Sequence, residues 1–418
     1  VTRSGAGILF AFLLSSCAAP TTVRRSEVLA GNEPRVRVLL AEGLETAAVT
    51  AAEGVTVSAG AFTLLDSPGK STVRFSGRAP DVEITIEPEG KVATAQGPIT
   101  VVPKGRTALG FDSKSYAGNL SVYFGADGRL AVVDIVPLEL YLEGVLPHEM
   151  GNAGTDGFDA LKAQAVAART YAFERVQLHA NDPFDLYAGV RDQVYQGLKG
   201  RTKQASSAVS GTRGLVLTDG GGSAKAYYSA CCGGHTSDIR LVWPERESAG
   251  YLFGVRDNDG RNPGAFCADH GYFRWRYSFT GKELGDMLRQ TLPKALEIEP
   301  AAVGEVVDIG IEEYTPSGRV SAIVIRTTKN EYRVAGDKIR WVLMADPKKN
   351  RILPSIMFKF DKIMEGGRVA FLSIAGGGNG HGVGMCQGGA IAMAKKGYTY
   401  RMILQHYYPG CDVVRAYQ

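Results

Sequence analysis

The stretch spanning residues 158–177 constrains this chain more than any other. Leu161, Ala165, Ala168 and Ala172 recur at three- and four-residue spacing, with Val166, Phe173 and Val176 beside them, which is a helical period. Much of that face is alanine, so neighbouring elements can approach closely, and a helix of this kind belongs at the centre of its domain. Thr155 or Asp156 is the expected N-cap, and Asp159 sits in the first turn. Before it the sequence reads as strand. The runs VRVLLAE, VTVSAGAFTLL, STVRFSG, VEITIEP and ITVVP are β-branched, alternate, and are separated by glycine, proline and acidic turns. LSVYFGADGRLAVVDIVP carries a hairpin signal at Asp127-Gly128. Later, GLVLTD, AKAYYSA, YFRWRYSFT and residues 307–334 are again strand-like, and further helices are expected at 282–292, 337–345 and 387–396. The predicted class is α+β, strand-rich around a central small-residue helix.

Composition narrows the function. Lys+Arg 47 against Asp+Glu 43 leaves a formal charge of +4 on 418 residues, too little to argue for nucleic acid. The length allows two or three domains. The first seventeen residues resemble a bacterial lipoprotein signal: Arg3, an apolar stretch over 8–14, then Leu14-Ser15-Ser16-Cys17. Cys17 is then the lipidated terminus, residues 18–34 a tether, and the destination the cell envelope, on the periplasmic side of an outer membrane where the cell has one. No later apolar run reaches the roughly 18 residues that a spanning helix needs, so attachment to the membrane is expected through lipid. The remainder divides into a β-rich region, 35–117, and a larger region, 118–418.

Three ordered stretches carry the chemistry. They are PLELYLEGVLPHEM with FDALKAQAVAARTYAFE behind it, YYSACCGGHTSD, and GHGVGMCQGGAIAMAKKGYTYRMILQHYYPGCDV. Together they resemble the stage II sporulation protein D family of peptidoglycan lytic transglycosylases. Pro147-His148-Glu149-Met150 is similar to the family's catalytic segment, and residues 161–171 to its helix. The resemblance implies a substrate groove and cleavage between N-acetylmuramic acid and N-acetylglucosamine on glycan strands stripped of stem peptides. An N-acetylmuramoyl-L-alanine amidase is then the implied working partner. Glu149 is the expected general acid and then base, flanked by apolar Val145, Leu146 and Met150, which exclude water and raise its pKa. No cofactor is needed for that chemistry. The alternative is a non-catalytic glycan-binding enhancer of such an amidase, a role given to some relatives.

Further candidates surround Glu149 in the sequence. Lys162 and Arg169, seven residues apart near one helix face, suit the lactyl carboxylate of a muramic acid, and Gln164 suits an N-acetyl group. Tyr228, Ser229, His235 and Thr236 are candidates for direct glycan contact. His381, between glycines, is placed beside the cleft by the resemblance, and His406, Tyr407 and Tyr408 could stack on sugars. After Cys17, five cysteines remain, an odd number. Cys232, His235 and Cys267 are candidate ligands of a structural zinc ion, with Cys231, His270 or Cys386 as the fourth. The competing expectation is a disulfide from Cys231 or Cys232 to Cys267.

Overall fold

Alternating side chains let each strand bury one face, and the first half of the chain uses this to build two sheets around one core. The computed structural model describes residues 32–418 except 152, 261 and 262; Cys17 lies outside the described residues. The first sheet runs Leu186–Tyr187, Arg35–Leu44, Leu130–Pro137, Asn119–Phe124, Ile99–Pro103, Val55–Ala59 and Phe62–Ser67. Its pairs are antiparallel except that Leu186–Tyr187 lies parallel to Arg35–Leu44. The second sheet contains Lys114–Tyr116, Leu109–Phe111, Ala47–Ala51, Ser71–Arg78, Asp81–Glu87 and Lys91–Gln96. Val36, Val38, Val57, Val101 and Val122 of one sheet share a core with Val49, Val73, Ile84 and Ile86 of the other. The expected hairpin forms: Phe124 pairs with Leu130, Gly128 adopts φ +72°, and the Asp127 carboxylate accepts the Arg129 N–H at 3.0 Å. Leu120 pairs with Val101, so a boundary near residue 118 runs through a continuous sheet.

Two helices follow. Helix α1, Leu138–Met150, was not expected from the sequence, because Pro147 reads there as a turn former. Leu138, Tyr141, Leu142 and Val145 nevertheless repeat at helical spacing and are buried, and Pro147 enters only the last turn. Helix α2, Phe158–Leu178, matches the expected central helix. Its N-cap is Gly157, not Thr155 or Asp156, which lie in a preceding 3-10 turn. Residues Ala160, Leu161 and 163–172 are all buried. Small side chains let α1, the helices Lys203–Gly211, Gln387–Lys395 and Tyr400–Tyr407, and the strand Leu215–Asp219 pack around it.

A second, separate core lies between Phe279 and Ile374. It joins the strands Trp275–Thr280, Phe358–Glu365 and Arg368–Gly376 to the sheet Val306–Tyr314, Val320–Thr327 and Glu331–Ala335. Helix Gly281–Leu296 buries Leu284, Leu288 and Leu292 against them and begins with a capping box from Thr280 to Glu283. The helix expected over 337–345 is shorter: only Ile339–Val342 is α-helical, and Met344–Asp346 turns into a strand.

Candidate active site

Glu149 reaches its place because two backbones come close. Gly144 on α1 faces the 193–197 segment so tightly that a Cβ there would lie 2.4 Å from the Gly197 carbonyl oxygen and 2.7 Å from the Tyr195 ring. That approach brings the Val194 N–H to 2.7 Å from Glu149 Oε1. The Gln387 side chain, at the start of its helix, also hydrogen-bonds the carboxyl. Gln387 is in turn bonded to the fully buried Gln164, its amide nitrogen 3.4 Å from Gln164 Oε1. Burial raises the Glu149 pKa above its ordinary 4.5, and the Val194 and Gln387 bonds oppose but do not cancel this.

Glu149 opens into a cleft of about 870 Å³ between the two cores. The near wall carries Tyr171, Asp192, Tyr227 and Tyr228, the far wall Tyr272, Tyr277, Asp337, Arg340, Trp341 and Arg351. Trp243, Arg246 and the loop Asn379-Gly380-His381 complete it. Aromatic faces with arginines between them suit a sugar polymer that carries carboxylates. The two other carboxylates of the cleft are occupied. Asp192 accepts from the Tyr171 hydroxyl at 2.5 Å and from the Tyr187 N–H at 2.9 Å, with Arg175 at 3.7 Å. Asp337 pairs with Arg340 at 3.2 Å.

Tyr228 lines the cleft. Its hydroxyl accepts from Gln193 Nε2 at 2.8 Å and retains its own proton to donate, while Gln193 Oε1 accepts from Tyr141 at 2.9 Å. Ser229 also lines it. His381 is there too, its ring 4.8 Å from Trp243. Its Nδ1 accepts the Val383 N–H at 3.0 Å, and the other nitrogen bonds the Tyr228 backbone. Burial, with Arg340 nearby, pushes its pKa down to about 3, which favours the neutral imidazole.

Several sequence candidates fall elsewhere. Arg169 is fully buried and grips Glu139 through bonds of 2.9 and 2.7 Å, besides reaching the Ala165, Val209 and Leu215 carbonyls. It is a structural ion pair, because α2 is enclosed on every side at that level. Lys162 stacks over Phe158 at 4.7 Å and toward Tyr400 at 5.9 Å, away from the cleft. Gln164 acts through Gln387 and does not line the cleft. His235 turns its Nδ1 to the Thr236 carbonyl at 2.6 Å and joins neither the cleft nor the thiols. Cys232 and Cys267 do come together, with Cys386 and Asp257. Tyr407 and Tyr408 are buried and His406 lies outside the cleft, so none of the three presents a stacking face there. The cleft arginines and Asp257 were missed, since they stand alone in separate segments without a motif.

A strand-rich α+β scaffold thus sets one glutamate of weakened acidity in an aromatic, arginine-lined cleft. Residues 126–218 match the sequence family described as stage II sporulation protein, and 261–384 match a domain of unknown function. An uncharacterized protein of Brachyspira hyodysenteriae is 32% identical over 303 residues, 72% of each chain. Stage II sporulation protein D of Bacillus subtilis is 27% identical over 68% of this chain and 76% of its own. The amidase enhancer of the same organism is 26% identical over 64% of this chain and 39% of its own. The chain belongs to the stage II sporulation protein D family.

Proposed function

We propose that this chain is a peptidoglycan lytic transglycosylase, acting in the cell envelope and tethered there by lipid at Cys17. The observation that carries the reading is the difference in partners among the cleft carboxyls: Asp192 and Asp337 are held by arginines, whereas Glu149 is bonded by Val194 and Gln387 and burial raises its pKa. A hydrolase places two working carboxylates across the bond. One suffices when the substrate supplies the nucleophile. Glu149 protonates the oxygen leaving from C1 of N-acetylmuramic acid, and the C1–O bond breaks. The C6 hydroxyl of the same sugar attacks C1, and its proton returns to Glu149. The products are a free N-acetylglucosamine 4-hydroxyl and a 1,6-anhydro ring, with no water consumed. Tyr228, beside Glu149, donates to a substrate oxygen, and the arginines bind lactyl carboxylates exposed once an amidase has removed the stem peptides.

A second reading has its own support in the amidase enhancer relative: a glycan-binding protein that stimulates an N-acetylmuramoyl-L-alanine amidase and cuts nothing. Mass spectrometry of glycan strands, with and without stem peptides, separates the two. Protein lacking residues 1–17 should yield 1,6-anhydro ends, and Glu149→Gln should lower the rate by about 10²–10⁴-fold. Reducing ends would mean hydrolysis, and intact strands that still bind protein would favour the enhancer.

A further inference from the structure

Behind the cleft, the main core encloses a polar cluster that the reaction at Glu149 does not use. The sulfurs of Cys232, Cys267 and Cys386 and a carboxylate oxygen of Asp257 all lie within 4.8 Å of one another. All four residues are at most 1% exposed. A carboxylate is costly to bury unless it is paired, and the three sulfurs converging beside it are soft metal ligands. Cys232 and Cys267 stand 3.7 Å apart, sulfur to sulfur. Four ligands about 2.3 Å from a tetrahedral zinc ion lie about 3.8 Å from each other. We propose that Cys232, Cys267, Cys386 and Asp257 form a binding site for one divalent ion of the zinc class.

The surroundings fit anionic sulfur ligands. The N–H groups of Cys232 and Gly389 point at Cys386 Sγ, at 3.2 and 3.4 Å. The guanidinium of Arg319, fully buried, donates to the Cys232 carbonyl at 2.8 Å and to that of His235 at 2.7 Å, placing a fixed positive charge beside the cluster. Asp257 is oriented by the Tyr407 hydroxyl at 2.5 Å and the Cys267 N–H at 2.9 Å, as carboxylate ligands commonly are. Gly389 is required there, since a Cβ would lie 2.0 Å from the Tyr407 oxygen and 2.3 Å from Asp257. Cys231, whose side chain reaches Cys267 and Cys386, is the neighbour that a four-sulfur site would recruit in place of Asp257.

The ion joins three distant segments. Ser229 pairs with Cys386 in a short parallel bridge, and Cys386 immediately precedes Gln387, which bonds Glu149. The site therefore positions the catalytic carboxyl without touching substrate, and its existence does not depend on which reaction the cleft performs.

The test is elemental analysis of the full chain purified in detergent without chelator, followed by chelation and refilling with Co(II). The expected result is one zinc-class ion per chain and, after refilling, the absorption of tetrahedral cobalt with thiolate charge transfer. Cys267→Ser and Asp257→Ala should lose the ion, while Cys231→Ser and the distant Cys411→Ser should keep it. Should the variants misfold, the wild-type metal content and cobalt spectrum still decide. Metal-free wild type with a Cys232–Cys267 disulfide in non-reduced digests would overturn the proposal, as would cobalt binding without thiolate charge transfer. Loss of the ion in Cys231→Ser with retention in Asp257→Ala would overturn the assignment of the carboxylate.

Discussion

Replacing Arg169 with methionine separates a structural role from a substrate role. Six hydrogen bonds leave with the guanidinium, two of them to Glu139. At about 1.5–3 kcal/mol for a bond to a charged group, a simple sum exceeds the whole stability of many domains, so the sum is the wrong measure. The governing quantity is the carboxylate left behind, about 3–5 kcal/mol for a broken buried pair. Glu139 has an escape, which is to take up a proton. From an unfolded pKa near 4.3, neutralising it at pH 7 costs about 3.7 kcal/mol, and at pH 5 only about 1 kcal/mol. In the parent, Arg169 holds the Glu139 pKa below its ordinary value, against burial that raises it. That stability is present above the unfolded pKa and lost as pH falls through the folded one. In the variant the folded pKa is raised, so stability is lost as pH rises through it. The deficit measured by urea denaturation should therefore be about 3–4 kcal/mol at pH 7 and shrink by about 1.4 kcal/mol per unit toward pH 5. Arg169→Met/Glu139→Gln should recover much of it. Unchanged stability with weakened glycan binding would refute the reasoning and return Arg169 to the substrate.

Other consequences concern the cleft. In the proposed reaction Glu149 must be protonated to act, so cleavage should fall as pH rises through its raised pKa; Gln387→Leu, which removes a bond favouring the ionised form, should move that descending limb to higher pH. A shift to lower pH in the rate profile would contradict the role given to Gln387. Arg351→Ala should raise KM for stripped strands about two- to fivefold, the worth of an exposed ion pair, with kcat unchanged and the effect erased by salt. Lys162→Ala should leave kcat and KM alone and cost at most about 1 kcal/mol in denaturation, the scale of its contact with Phe158.

The sequence was informative where one physical rule dominated. Periodicity located α2 within a residue at its far end, and alternation located the strands. Glu149 stood out through the resemblance of its segment and the following helix to a known family, since Pro147-His148-Glu149-Met150 alone reads as a surface turn. Helix α1 was hidden by Pro147, whose usual meaning is defeated by its position in the last turn. Arg169 and Lys162 were misread for a related reason. Seven-residue spacing places two side chains near one face, but it does not say what covers that face, and here other helices do. One signal was available: Glu139, a lone acid in the apolar run PLELYL, is the natural partner for a cation among alanines. The cleft arginines, Arg191, Arg246, Arg340 and Arg351, come from three separate segments, and no local rule joins them.

The second core leaves the main body and returns to it at a single place. Trp275, at its entry, pairs with Gly376, at its exit, and the strands they begin and end run side by side through Thr280 and Phe371. The segment between has its two ends already neighbours, so an exchange leaves a gap that a short turn can span, provided the replacement still reaches the Cys232 and His235 carbonyls as Arg319 does. Glu149 stays on α1, while the wall opposite, with Tyr277, Trp341 and Arg351, belongs to the segment that can be exchanged.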